Sequence, residues 1–224
     1  MGGRPGYLTL PIFSVVAAIG YVYYTTVFVA VPRWLGLSTA AGVANAAAFT
    51  ALAAACLATY AVAVRRDPGR VPPGFVPDVE DAESTVHEIK RKGGDLRYCQ
   101  KCCHYKPPRA HHCRVCKRCV LKMDHHCIWI NNCVGHENYK IFLVFVLYAV
   151  VASFYALGAF CIVFLKMSSQ AAILLEHPFT MKELERCGWQ KKVETSIIIH
   201  MTLVSMRILF QFLGLTYFAG SALY

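Results

Sequence analysis

One stretch, Cys99 to Cys133, limits what this chain can become. Eight of its eleven cysteines lie there, six of them in two overlapping copies of one spacing. The first copy is Cys99-x2-Cys102-x9-His112-x6-Cys119. The second is Cys113-x2-Cys116-x9-His126-x6-Cys133, displaced by 14 residues at all four positions. Each copy supplies three thiolates and an imidazole, a complete tetrahedral set for zinc. The copies interleave, because Cys113 and Cys116 precede Cys119. Two zinc ions would therefore cross-pin one short segment that has little apolar core. Its folding energy must come from the metal. Cys103, His104, His111 and His136 fall outside the pattern and read as bystanders.

The same count isolates one thiol. Cys127 follows His126 as Cys113 follows His112, but position 130 is Ile130, so no third C-x2-C pair opens. Cys127 is left over directly after Asp124-His125-His126. A thiol beside a histidine and a carboxylate is the arrangement of a nucleophilic enzyme. The histidine takes the thiol proton and the carboxylate orients the ring. His125 and His126 are expected to diverge, one toward a metal and the other toward the thiol. The cations Arg118 and Lys122 are expected to favour the thiolate.

Asp124-His125-His126-Cys127, the surrounding cysteine pattern, its continuation into Asn138 and Phe142, and Asp67-Pro68-Gly69 resemble the DHHC protein S-acyltransferases (palmitoyltransferases). The resemblance covers about residues 1–156. It implies acyl transfer from a long-chain acyl-CoA such as palmitoyl-CoA to cysteines of substrate proteins, at a membrane. It also implies that Asp124, His125 and Cys127 are catalytic and that His126 is a zinc ligand, as the spacing repeat requires. Arg97, Lys101 and Arg109 are available for CoA phosphates. In the expected reaction Cys127 attacks the thioester, CoA leaves, and a protein cysteine then takes the acyl group, with His125 as base in each step.

The rest of the chain suits that setting. It is 56% hydrophobic and 16% charged, outside the usual range of soluble domains, and the apolar residues come in blocks. Residues 7–31 carry no charge. At about 1.5 Å per residue they are long enough for a hydrocarbon core of about 30 Å, and too long for a signal peptide. A turn over Pro32–Ser38 leads to a second, alanine-rich span over 39–64, in which Asn45 and Cys56 read as packing residues. The third span is expected over 141–165, followed by a polar loop over 166–192. A fourth is expected over 197–224, with an interfacial helix as alternative because His200, Arg207 and Gln211 interrupt it. Cys161 and Cys187 read as packing residues.

The predicted class is thus a mainly α, multi-pass membrane protein of about four spans. Residues 1–64 form an N-terminal transmembrane hairpin, 65–139 a linker and two-zinc domain, and 140–224 a C-terminal transmembrane region. Residues 67–81, with Pro68, Pro72, Pro73 and Pro77, read as an extended linker. The acidic run Asp78, Glu80, Asp81, Glu83 and Glu88 reads as a solvated face, and Gly93 and Gly94 open the zinc module. Residues 65–139 hold 14 Lys and Arg, against Arg33 alone in the first interspan loop. That asymmetry predicts a cytosolic zinc domain with reduced thiols, in an endomembrane: endoplasmic reticulum, Golgi or plasma membrane. The net charge of +10 suits anionic lipid or acyl-CoA phosphates, and being tied to membrane spans it does not point to nucleic acid.

Two other classes compete. A membrane-anchored ubiquitin ligase would also cross-brace two zincs, but needs a closing C-x2-C where five residues separate Cys127 from Cys133. A truncated, catalytically impaired form acting as a zinc-stabilised scaffold is the second. It is raised by the lack of a T-T-x-E motif and of a cytosolic tail after the last span.

Overall fold

The computed structural model describes residues 9–72, 74–76 and 97–175. The acidic run from Asp78 to Glu88, Gly93 and Gly94, Cys187 and the expected fourth span over 197–224 lie outside the described residues.

Among the described residues, three helices are long and apolar enough to cross a membrane: Leu10–Trp34, Ala40–Arg65 and Tyr139–Ser169. The first is built in three pieces. Helix α1 covers Leu10–Thr25, a π-helical turn covers Thr26–Ala30, and α2 covers Val31–Trp34. The widened turn has a local cause. Pro32 has no N–H, and its ring clashes with the carbonyl four residues before it. The backbone shifts register ahead of it, so that the Val31 N–H bonds Thr26 O. The Arg33 guanidinium donates to Val29 O at 3.2 Å. Helix therefore runs through Pro32 to Trp34, and the turn expected over Pro32–Ser38 is shorter. Gly36 makes it, in the left-handed region at φ +78°.

Helix α3, Ala40–Arg65, begins at an N-cap: Thr39 Oγ1 accepts the Gly42 N–H at 3.0 Å. Helix α4 is Tyr139–Leu175. It starts where expected, but continues ten residues past the expected end at Leu165. No Pro or Gly lies between Gly158 and Leu175 to stop it. The Ser168 and Ser169 hydroxyls donate back to Leu165 O and Lys166 O at 2.9 Å each, which helical backbone accommodates. The first part of the segment read as a polar loop is thus helix.

The chain divides into two compact units. Among the described residues, one holds Ala17–Leu57 and residues 146–175. Its core joins Val22, Val27 and Ala30 to Phe49 and to Ala156, Phe160 and Val163. Phe49 stacks on Tyr155 at 5.0 Å, and the Tyr155 hydroxyl donates to Asn45 Oδ1 at 2.7 Å. Asn45 is a packing residue, as expected, and Cys56 is buried. Cys161 is exposed rather than packed.

The other unit contains Ala58–Phe145. Here the cysteine-rich stretch folds as three antiparallel hairpins of two or three residues per strand. Strand β1 (Tyr98–Cys99) pairs with β2 (His104–Tyr105), β3 (His111–Cys113) with β4 (Arg118–Val120), and β5 (His125–Cys127) with β6 (Asn132–Val134). So little strand buries only a small aliphatic core: the buried residues are cysteines with Val71, Ala110, Val120, Ile130 and Val134.

Part of the expected linker is instead a docked turn. Asp67 Oδ1 accepts the Gly69 N–H at 2.9 Å, and Gly69 O accepts the Leu121 N–H at 3.0 Å. Pro68 O accepts the Glu137 N–H at 3.1 Å. Gly69 sits at φ +101°, and a Cβ at Gly135 would come within 2.6 Å of Pro68 O, so both positions need glycine.

Candidate active site and metal centres

The three hairpins repeat one turn. Cys103, Lys117 and Asn131 have φ of 54°, 52° and 46°, and are spaced by the same 14 residues as the ligands. Each turn follows a cysteine: Cys99, Cys113 or Cys127. In the second, the Cys116 N–H points at Cys113 Sγ at 3.3 Å. Backbone N–H groups act likewise on the Cys99 sulfur, from Lys101 and Cys102, and on the Cys127 sulfur, from Trp129 and Ile130.

The eight expected ligands gather into two groups, Cys99, Cys102, His112 and Cys119, and Cys113, Cys116, His126 and Cys133. Within each group all ligand atoms lie inside 4.8 Å of one another. In the first, His112 Nδ1 is 3.5, 3.2 and 3.8 Å from the sulfurs of Cys99, Cys102 and Cys119. In the second, His126 Nδ1 is 3.6, 3.4 and 3.6 Å from those of Cys113, Cys116 and Cys133, and the last two sulfurs are 3.4 Å apart. Tetrahedral zinc with bonds of about 2.3 Å to sulfur and about 2.0 Å to nitrogen has edges of about 3.5 Å (S···N) and about 3.8 Å (S···S). The donor sets fit.

Charge supports the same fit. Hydrogen bonds from Cys116 and Cys133 hold the Cys113 thiol far below its ordinary value, and the Cys113 and Cys116 sulfurs push Cys133 far above its own. Those two sulfurs also raise His126 to about 9. Thiols this close cannot all ionise together without a cation to offset their charge. Either cluster could hold a metal ion.

Cys127 belongs to neither group. Ile130 fills the place of a second cysteine and is fully buried, and Cys127 is 4% exposed. Side chains alternate along β5, which puts His125 and Cys127 on one face and His126 on the other. The divergence expected of the two histidines follows from the strand itself. His125 Nδ1 lies 3.0 Å from Asp124 Oδ2, leaving Nε2 as the free nitrogen. The Phe142 ring meets the His125 ring edge-on at 5.6 Å. Asn138 is fully buried and ties the hairpin to α4: its Oδ1 accepts the Gly135 N–H at 2.9 Å and its Nδ2 donates to Cys133 O at 2.8 Å.

The expected cationic setting of Cys127 is different. Arg118 is committed to Asp67 at 2.8 Å. Burial pushes the Cys127 thiol up from its ordinary value, opposed by the Ile130 and Trp129 N–H groups. Asp67 itself is lowered: burial works against the carboxylate, but bonds from Arg118 and the Gly69 N–H, with the Arg118 charge, outweigh it. Of the cations considered for CoA, Arg97 is occupied internally, donating to Ala110 O at 3.0 Å, and Arg109 takes a left-handed turn position at φ 58°.

Sequence reasoning missed Tyr60 and Asn132. The Tyr60 hydroxyl donates to Trp129 O at 2.8 Å. The Asn132 amide donates to Arg66 O at 2.8 Å, and lies 3.3 and 3.4 Å from Val64 O and Ala63 O. The only sequence signal was positional: Asn132 is one 14-residue repeat beyond Arg118.

Paired tetrahedral Cys/His clusters, a cysteine they leave over beside an Asp–His pair, and membrane-length helices together define a class. The chain belongs to the DHHC palmitoyltransferase family, whose sequence profile matches residues 92–222. The match extends well beyond residue 156, where the recognisable motifs end. The chain is 68% identical over 149 residues to probable protein S-acyltransferase 16 of Arabidopsis thaliana, covering 66% of this chain and 52% of that one. It is 53% identical over 138 residues to probable protein S-acyltransferase 15 of the same organism, covering 62% and 53%. It is 46% identical over 114 residues to human palmitoyltransferase ZDHHC3, covering 50% and 36%. The chain spans about half the length of the two plant relatives.

Proposed function

We propose that this protein is a membrane-embedded protein S-acyltransferase that moves a long-chain acyl group from acyl-CoA to cysteines of substrate proteins through a thioester on Cys127. The observation that carries the reading is the cysteine left outside both metal groups, on the strand that also holds His125, which is paired with Asp124 just before it. Family membership supports it.

His125 Nε2 takes the Cys127 proton, with its Nδ1–H held by Asp124. The sulfur attacks the acyl carbonyl of palmitoyl-CoA, and CoA leaves with the proton returned by His125. A substrate cysteine then gives its proton to His125 and attacks the acyl-enzyme, and the Cys127 thiolate departs. One thioester is exchanged for another in each step, so no ATP is required. Two zinc ions, one held by Cys99, Cys102, His112 and Cys119 and one by Cys113, Cys116, His126 and Cys133, would fix the hairpins.

The proposed organisation is an N-terminal transmembrane hairpin over 1–64, a cytosolic zinc domain over 65–139 and a C-terminal transmembrane region over 140–224 with a fourth span, in an endomembrane. The loop charge asymmetry supports this orientation. The test is incubation of pure protein with labelled palmitoyl-CoA. A hydroxylamine-sensitive label is expected on the wild type and none on Cys127→Ser. Label persisting on Cys127→Ser, or missing from folded wild type with two metals, would overturn the reading.

A further inference from the structure

Metal binding explains how the hairpins fold, but not what holds the Cys127 hairpin against the membrane helices. The last carbonyls of any helix lack intrahelical partners and draw donors. At the end of α3 that donor is the Asn132 side chain, reaching Arg66 O, Val64 O and Ala63 O. Asn132 is the register partner of Cys127 across β5–β6. One turn earlier on α3, buried Tyr60 donates its hydroxyl to Trp129 O, in the turn that follows Cys127. Tyr60, Ala63 and Val64 share one face of the helix, being three and four residues apart. The same Tyr60 packs on Phe145 at 5.1 Å, Phe145 on Phe142 at 6.4 Å, and Phe142 on His125. The equivalent position in the preceding hairpin, Arg118, is the register partner of Cys113 and grips the next residue of the same segment, Asp67. Two repeat-equivalent side chains thus seize consecutive parts of Ala63–Asp67, one by backbone carbonyls and one by a carboxylate.

We infer that Asn132 and Tyr60 are positioning residues, which dock the Cys127 turn on the end of the second span independently of the metal sites. Neither side chain belongs to either metal group. Their role is to fix where the thiol stands when an acyl chain is presented. The inference rests on the reading of Cys127 as the acyl-accepting thiol.

The experiment uses the full chain in lipid nanodiscs and the variants Asn132→Asp and Tyr60→Phe. Asn132→Asp keeps the oxygen that accepts the Cys133 N–H at 2.9 Å and loses the donor. Tyr60→Phe removes a hydroxyl and leaves the ring on Phe145. Three quantities are read: metal per chain, kcat and KM for Cys127 acylation by palmitoyl-CoA, and the rate at which a charged maleimide modifies Cys127 without acyl-CoA, taken as the difference from Cys127→Ser. Both variants are expected to keep two metals and a KM within about twofold. The expected fall in kcat is about tenfold to a hundredfold for Asn132→Asp and smaller for Tyr60→Phe, the range that slight misplacement of a reacting group produces. The maleimide rate should change several-fold in the same order. Unchanged kcat and maleimide rate in both variants would overturn the inference. So would loss of metal in both, since the residues would then serve the metal module itself. A wild type that forms no acyl-enzyme would sink the transferase reading, while the maleimide rates would still decide the positioning role.

Discussion

The β3–β4 and β5–β6 hairpins are one object used twice. Both pair three residues in the same register, His112 opposite Cys119 and His126 opposite Cys133, and both turn through a left-handed residue, Lys117 or Asn131. Both present backbone N–H groups to the sulfur of their leading cysteine. They differ three residues after that cysteine, where Cys116 completes a metal knuckle and Ile130 does not. On the proposed reading, that single aliphatic side chain separates a structural thiolate from one available for chemistry. The other face of β5–β6 still supplies His126 and Cys133 to the second cluster, so the thiol rides on a strand that a metal would hold rigid. The third turn, with Ile130 in the place of a second cysteine, keeps the sulfur-holding geometry of its siblings.

The largest effect should come from exchanging serine for the leading cysteine in each hairpin. Cys127→Ser should abolish acylation while elemental analysis still finds two metals per chain. Cys113→Ser should lose the second ion and unfold the module, since the binding energy of a structural metal is its folding energy. If Cys127→Ser lost metal as Cys113→Ser does, the two hairpins would not be functionally distinct.

Next in size is the attempt to restore the lost ligand. Ile130→Cys recreates a C-x2-C pair with Cys127. Its acylation should become sensitive to cadmium at concentrations that leave the wild type active, and a chelator should restore it. Indifference to cadmium would mean the third turn is not a knuckle in its thiol geometry. On the same face, His125→Ala should slow acylation by about 10²–10⁴-fold, the usual span for a general base, with Asp124→Asn impaired less. Single-turnover labelling distinguishes these.

What the sequence reveals follows from distance along the chain. The two ligand groups were legible because each hairpin closes within a few residues and the 14-residue repeat is written out in full. The bonds that dock the hairpins were not: Tyr60 to Trp129 spans 69 residues and Asp67 to Arg118 spans 51. Nothing local distinguishes Asn132 from an ordinary turn asparagine. The expected influence of Arg118 on Cys127 failed for the same reason, because proximity in sequence said nothing of the carboxylate that claims the guanidinium. Among the described residues, the three helices long and apolar enough to cross a membrane were legible from length and hydropathy. The continuation of α4 to Leu175 was not, since Lys166, Ser168 and Ser169 look like loop residues by polarity yet contain no helix breaker.

The smallest expected effect tests the second of the two docking contacts. Arg118 donates to Asp67, which is 31% exposed and whose carboxyl is held below its ordinary value. Asp67→Asn removes the charge and keeps the shape. Partly exposed ion pairs contribute little, so the loss at neutral pH should be about 1 kcal/mol, read as a lower melting temperature of the detergent-solubilised chain with both metals bound. The sign of its pH dependence is fixed. A depressed folded pKa means that the contribution is fully present above the unfolded aspartate value of about 3.9, and is lost as pH falls through the folded value. Acid also protonates the metal thiolates, but does so in both proteins. The difference between wild type and Asp67→Asn should therefore be constant down to the ordinary aspartate range and narrow only below it. A difference that vanished already at neutral pH would mean that Asp67 docks the β3–β4 hairpin through the Gly69 turn alone. The grip on the segment after the second span would then belong to the Asn132 hairpin, the one that carries the thiol.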